Sequence, residues 1–100
     1  MAKRQNEIVK GVGGILRKFL KPSRIIFFGS RVKGNNNGHS DFDFAVDCPR
    51  PSISVEREIK EQVEKISGLY GVDIVYLCSV DKDFRQIILK TGRLIYEKRT

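Results

Sequence analysis

This chain is poor in the residues that usually mark a metal cage or a disulfide framework. Its 100 residues include two cysteines and one histidine. Cys48 and Cys78 make no C-x-x-C pattern, and His39 is too little to complete a zinc site with them. They read as two reduced thiols near strand ends, as expected of an intracellular chain. Long hydrophobic runs are missing too: stretches such as Ile25-Ile26-Phe27-Phe28 are far too short to cross a bilayer. The opening residues, Met1 to Glu7, are charged and lack the apolar stretch of a secretory signal, so the cytoplasm is the expected compartment. There is no internal repeat and no low-complexity linker. Nineteen Lys and Arg against twelve Asp and Glu give a net charge of +7, which suits nucleic acid, nucleotide phosphates or an acidic partner. No basic run reaches five, however, so the charge reads as a solvated basic surface and selects no partner by itself.

What is present is an ordinary globular composition, 40% hydrophobic and 31% charged. Residues 1–100 are expected to form one small domain, burying roughly two-thirds of the unfolded surface. A core fits; a second lobe for a large substrate does not. From Glu7 to Leu20, Ile8, Val12, Ile15, Leu16 and Phe19 recur at helical spacing. Gly11, Gly13 and Gly14 weaken that helix by up to ~1 kcal/mol each, which predicts close packing or fraying there, and Lys21-Pro22-Ser23 ends it. Arg24 to Phe28 reads as a strand buried on both faces. Asp41 to Asp47 alternates, with Phe42, Phe44 and Val46 on one side and Asp41, Asp43 and Asp47 on the other. Cys48-Pro49-Arg50-Pro51 stops it.

Ser54-Val55-Glu56-Arg57 opens a second helix, with Val55, Ile59, Val63 and Ile66 as its apolar stripe and Gly68 as its close. Val72 to Leu77 is a third strand. Asp81 to Lys90 forms a short helix with Phe84, Ile87 and Ile88 inward, and Leu94-Ile95-Tyr96 a last strand. The class is therefore α/β or α+β, a mixed sheet of three or four strands covered by helices.

Chemistry is concentrated between the first two strands. Asp41 and Asp43, two apart on a strand, leave one face at roughly 7 Å separation. Bare carboxylates so placed repel each other; a divalent cation removes that penalty, and magnesium favours one or two carboxylates completed by water and phosphate oxygens. The alternative is an acidic, solvated edge face. The depletion of Asp in strands, with two Phe and a Val opposite, favours the metal. Asp73, between Val72 and Ile74, is by itself equally well an exposed edge carboxylate or a salt-bridge partner. If its strand lies beside the Asp41 strand, it completes a three-carboxylate cluster of the kind that holds two metals.

Gly29-Ser30 directly follows a strand. Glycine lets backbone approach a phosphate closely, and a serine at a helix start can bind one; the plain alternative is a turn with a Ser cap. Arg31 and Lys33 are candidate phosphate contacts, and Ser40 joins the nucleotide-binding candidates beside Asp41. Asn35-Asn36-Asn37-Gly38-His39 reads as a flexible loop over the site, with no role assigned to His39. Tyr70, Tyr76 and Tyr96 read as core or rim aromatics.

Gly29-Ser30, ten residues, Asp41-Phe42-Asp43 and then Asp73 in Gly71-Val72-Asp73-Ile74-Val75 together resemble the nucleotidyltransferase superfamily typified by DNA polymerase β. Chain length and the ending Thr91-Gly92-Arg93-Leu94-Ile95-Tyr96-Glu97 are similar to its minimal nucleotidyltransferase (MNT) group, over roughly residues 8–97. One departure is Arg31-Val32-Lys33-Gly34, where many members read Arg-Ala-Arg-Gly; Lys33 keeps the charge but loses the bidentate fork. The resemblance implies the nucleotidyltransferase fold, with Asp41, Asp43 and Asp73 as ligands of two magnesium ions and Asp73 also as general base. It implies that Gly29 and Ser30 bind the triphosphate of ATP.

The resemblance further implies transfer of AMP to a hydroxyl on a partner protein, the chain being the antitoxin of a HEPN/MNT toxin–antitoxin pair. This accounts for the missing acceptor lobe. The alternatives are an MNT-fold binding module that acts by contact, and transfer to a small molecule or RNA end with a second helical subunit or a homo-oligomer supplying the lobe. A basic nucleic-acid-binding protein without catalysis leaves the carboxylates unexplained.

Overall fold

The computed structural model describes residues 2–33 and 41–99. Eight elements follow in order: α1 (Ala2–Leu20), β1 (Arg24–Phe28), α2 (Ser30–Lys33), β2 (Phe42–Val46), α3 (Ile53–Ser67), β3 (Val72–Tyr76), α4 (Lys82–Thr91) and β4 (Arg93–Glu97). The four strands form one sheet in the order β3-β2-β1-β4. β1 runs antiparallel to both β2 and β4, whereas β2 and β3 are parallel. Parallel neighbours need a crossover of a dozen or more residues, and the connection that carries α3 provides it between β2 and β3.

Alternation along each strand gives the sheet two unlike faces. On one, Ile25, Phe27, Phe42, Phe44 and Val46 meet Ile8, Val12 and Leu16 of α1 and Ile59 and Val63 of α3. Phe27 is the hub, its ring centroid 6.0 Å from Phe42 and 5.4 Å from Phe44. Fully burying a Phe contributes about 1.5–3 kcal/mol, so these three rings dominate that layer. The other face carries a smaller cluster, Ile26, Ala45, Leu77 and Ile88, beneath α4.

Several boundaries differ from the sequence reading. α1 begins at Ala2 rather than Glu7, and it continues through its glycines. A Cβ on Gly11 would stand 2.9 Å from Cγ2 of Ile66, so close packing against α3 is what this glycine permits. α3 starts at Ile53, with the Ser52 hydroxyl accepting from the Val55 N–H, as an N-cap serine does. In α4, Ile88 is buried, but Phe84 and Ile87 are 38% and 56% exposed. A lone ten-residue helix meets the sheet along one line, too narrow to bury all three. β3 is an edge strand, and Asp73 on it is exposed. Cys48 is buried and Cys78 exposed, both as free thiols. Among the described residues no helix is long and apolar enough to cross a membrane.

Candidate active site

The site lies at one end of β1, β2 and β3, on the face that carries α4. Asp43 alternates with the buried rings Phe42 and Phe44, so the pleat that sends them inward turns its carboxylate to the opposite face. Across the parallel pair, Asp43 is the register partner of Asp73. Neighbouring strands lie about 4.7–4.9 Å apart, which brings the two carboxylates side by side. Asp41 precedes β2 at the same end, where the Phe42 N–H donates to the Gly71 carbonyl at 2.9 Å. Three acidic side chains, those of Asp43 on β2, Asp73 on β3 and Asp41 just before β2, thus share one sheet corner.

Two glycines make room for them. Gly29 closes β1 with φ +92, a conformation that side-chain-bearing residues rarely adopt. A Cβ there would collide with Oδ2 of Asp43 and stand 3.1 Å from its Cγ. On the β3 side, a Cβ on Gly71 would lie 2.5 Å from Oδ1 of Asp41 and 3.0 Å from its Cγ. Each of the Asp41 and Asp43 carboxylates therefore sits against a residue with no side chain. Gly71 escaped the sequence reading as a site residue; its signal was a glycine two residues before Asp73.

The electrostatics match this crowding. Burial, then the charges of Asp73 and Asp41, push the Asp43 carboxyl up from 3.8 to about 6. Phe28 stands opposite Asp43 in the antiparallel register and meets Phe84 edge to face at 6.0 Å. A carboxylate destabilised by its own neighbours is the setting a divalent cation relieves, and an all-carboxylate donor set suits magnesium. Among the described residues, no group of three or more His, Cys, Asp or Glu side chains is closed tightly enough to hold a metal as it stands.

The other candidates separate. α2 carries Ser30 and Lys33 directly after Gly29. Ser40, His39 and the Asn35-Asn36-Asn37 stretch lie outside the described residues. Arg31, expected at the phosphates, is not among the carboxylates: it is buried, with its guanidinium 4.2 Å from the Phe42 ring centroid on the sheet face away from Asp43. Turned inward, it also lies 5.0 Å from the Tyr70 ring centroid. Asp47 shares the alternation of Asp41 and Asp43 but is at the far end of β2, where it accepts from Nε and Nη2 of Arg24 at 3.1 and 2.9 Å.

Comparison with known proteins bears on the family. The family described as polymerase beta, nucleotidyltransferase matches residues 10–100. A probable protein adenylyltransferase, MntA, of Haemophilus influenzae is 33% identical over 85 residues, spanning 84% of this chain and 75% of that protein. A crystal structure of a toxin–antitoxin with AMP-PNP superposes with a TM-score of 0.73 at 25% identity, covering 94% of this chain and 73% of that one. A complex of a tri-AMPylated Shewanella oneidensis HEPN toxin with its MNT antitoxin matches in fold, with a TM-score of 0.69 at 22% identity, over 95% and 73% of the two chains. By motif, fold and relatives alike, this chain belongs to the polymerase β nucleotidyltransferase family.

Proposed function

We propose that the chain transfers AMP from ATP, with magnesium, to a hydroxyl of a partner protein, as the antitoxin member of a pair with a HEPN protein. The observation that carries this reading is the in-register pairing of Asp43 with Asp73, with Asp41 at the same corner and Gly29 against Asp43. Asp41, Asp43 and Asp73 are the residues that would hold magnesium. Bound there, the ion offsets the negative charge of carboxylates and triphosphate and polarises the phosphoryl oxygens.

The rest falls to the chain's own groups. Gly29, without a side chain, lets the triphosphate approach the turn that leads into α2, where Ser30 and Lys33 follow, with Ser40 preceding Asp41. Asp73, exposed on its edge strand, takes the proton of the acceptor hydroxyl. That oxygen bonds to the α-phosphorus as the bond to the pyrophosphate oxygen breaks, and pyrophosphate leaves. A protein acceptor is supported by the printed name of the Haemophilus relative, a probable protein adenylyltransferase. A HEPN partner is supported by the AMPylated toxin in the Shewanella complex.

The test is incubation of the chain and its co-purifying partner with magnesium and ATP labelled at the α-phosphate. Label on the partner that disappears with Asp41→Asn supports the proposal. Neutralisation of the partner that survives Asp41→Asn, with no label transferred, replaces it by a contact role.

A further inference from the structure

We propose that Arg31 is a positioning residue, which from behind the sheet locks the Gly29-Ser30 turn to the strand ends that bear Asp41, Asp43 and Asp73. The inference rests on the reading of those carboxylates given above. Arg31 is 8% exposed. Its guanidinium carbon lies 4.2 Å from the Phe42 ring centroid and 5.0 Å from that of Tyr70. The two rings meet edge to face at 5.6 Å, and Nη1 donates to Oε1 of Gln5 at 3.2 Å.

The sequence positions of these partners give the contact its meaning. Arg31 follows Ser30 directly. Phe42 lies between Asp41 and Asp43, its ring on the core face. Tyr70 precedes Gly71, the residue packed against the Asp41 carboxylate, and Asp73 follows two residues later. One planar cation thus touches the two other segments that carry the site, while Gln5 ties it to α1. A planar guanidinium can lie against aromatic faces and donate at its edge; a lysine, a compact and strongly hydrated charge, reproduces neither. Arg31 and Lys33 therefore have different work, although the sequence offers both as phosphate ligands.

The experiment compares the parent with Arg31→Lys, Arg31→Gln and Tyr70→Leu in the chain with its partner. Thermal midpoints are measured first. Label transfer (kcat and KM for ATP) and manganese affinity without nucleotide are then measured well below the lowest midpoint. Positioning predicts that kcat falls about 10- to 100-fold in both Arg31 variants, with KM for ATP within about twofold. Manganese binding should weaken about tenfold or more, as happens when groups supporting metal ligands are lost. Tyr70→Leu, which leaves every charge in place, should show the same pattern at smaller amplitude, and it decides the matter if Arg31→Gln fails to fold. A raised KM with kcat intact assigns Arg31 to the phosphates and overturns the proposal. So does a lowered midpoint with kcat, KM and manganese affinity unchanged in the folded protein. If the parent labels no partner, the proposed function fails, and manganese binding still decides for or against Arg31.

Discussion

Gly29→Ala tests the meeting of turn and carboxylate most directly. Two costs add at this position. A residue with a Cβ at φ +92 pays about 1–3 kcal/mol for a sparsely populated backbone conformation. The new methyl also runs into Oδ2 of Asp43 and lies 3.1 Å from its Cγ, so the whole carboxylate must rotate or the strands must part. Overpacking of this kind costs about 1–3 kcal/mol. Together they predict a loss of about 2–6 kcal/mol, and each kcal/mol lowers the midpoint of a domain this size by about 4–8 °C. The same substitution made with Asp43→Ala separates the two. Oδ2 and Cγ are then gone, and the remaining Cβ contact at 3.4 Å is ordinary. Only the backbone cost is left, so the cycle should show a coupling of about 1–3 kcal/mol. Thermal unfolding followed by far-UV circular dichroism at pH 8, where Asp43 is ionised, measures all four proteins. Equal costs in both backgrounds, to within about 0.5 kcal/mol, would refute the reasoning: Gly29 would then answer to φ alone.

Two further outcomes concern this corner and the opposite end of β2. Asp43 holds its proton more tightly folded than unfolded, so its contribution is fully present below pH 3.8 and is lost as pH rises through about 6. Asp43→Asn should therefore be the more stable protein above pH 6 without metal, by on the order of 1 kcal/mol after solvent screening. Unfolding curves at pH 3.5 should show no such gain, and millimolar magnesium at pH 8 should narrow the gap by stabilising the parent. Asp47→Asn tests the limit of the alternation: it breaks the pair with Arg24, costs up to about 1 kcal/mol because that pair is partly exposed, and should leave label transfer within twofold. A loss of transfer matching that of Asp41→Asn would move Asp47 into the site.

The alternation Phe42, Asp43, Phe44 was legible because period two is a local property, and it placed the carboxylates on the correct face of β2. Gly29-Ser30 and Asp73 were legible as candidates for a similar reason, since each follows or interrupts an apolar run. What local pattern cannot carry is which strand ends up at an edge. Asp73 could be read as an exposed edge carboxylate, a salt-bridge partner or a member of the cluster. Only the sheet order, with β3 at the edge beside β2, sets it exposed and next to Asp43. The burial of Arg31 was not legible, because a cation after a Gly-Ser turn fits a phosphate ligand by type. Its face is set by Phe42 and by Tyr70, 39 positions away, which no window around the turn contains. The early start of α1 escaped because its first turn is polar and adds nothing to an apolar period.

The parallel register of β2 and β3 makes the span from Val46 to Val72 a ruler. Side chains alternate faces along a strand, so sliding β3 by one residue would put Val72 or Ile74 beside Asp43 and turn Asp73 to the core face. A single inserted or deleted residue between α3 and β3 could therefore disarm the corner while every site residue stayed in the sequence. Chain length in that turn holds the chemistry in phase.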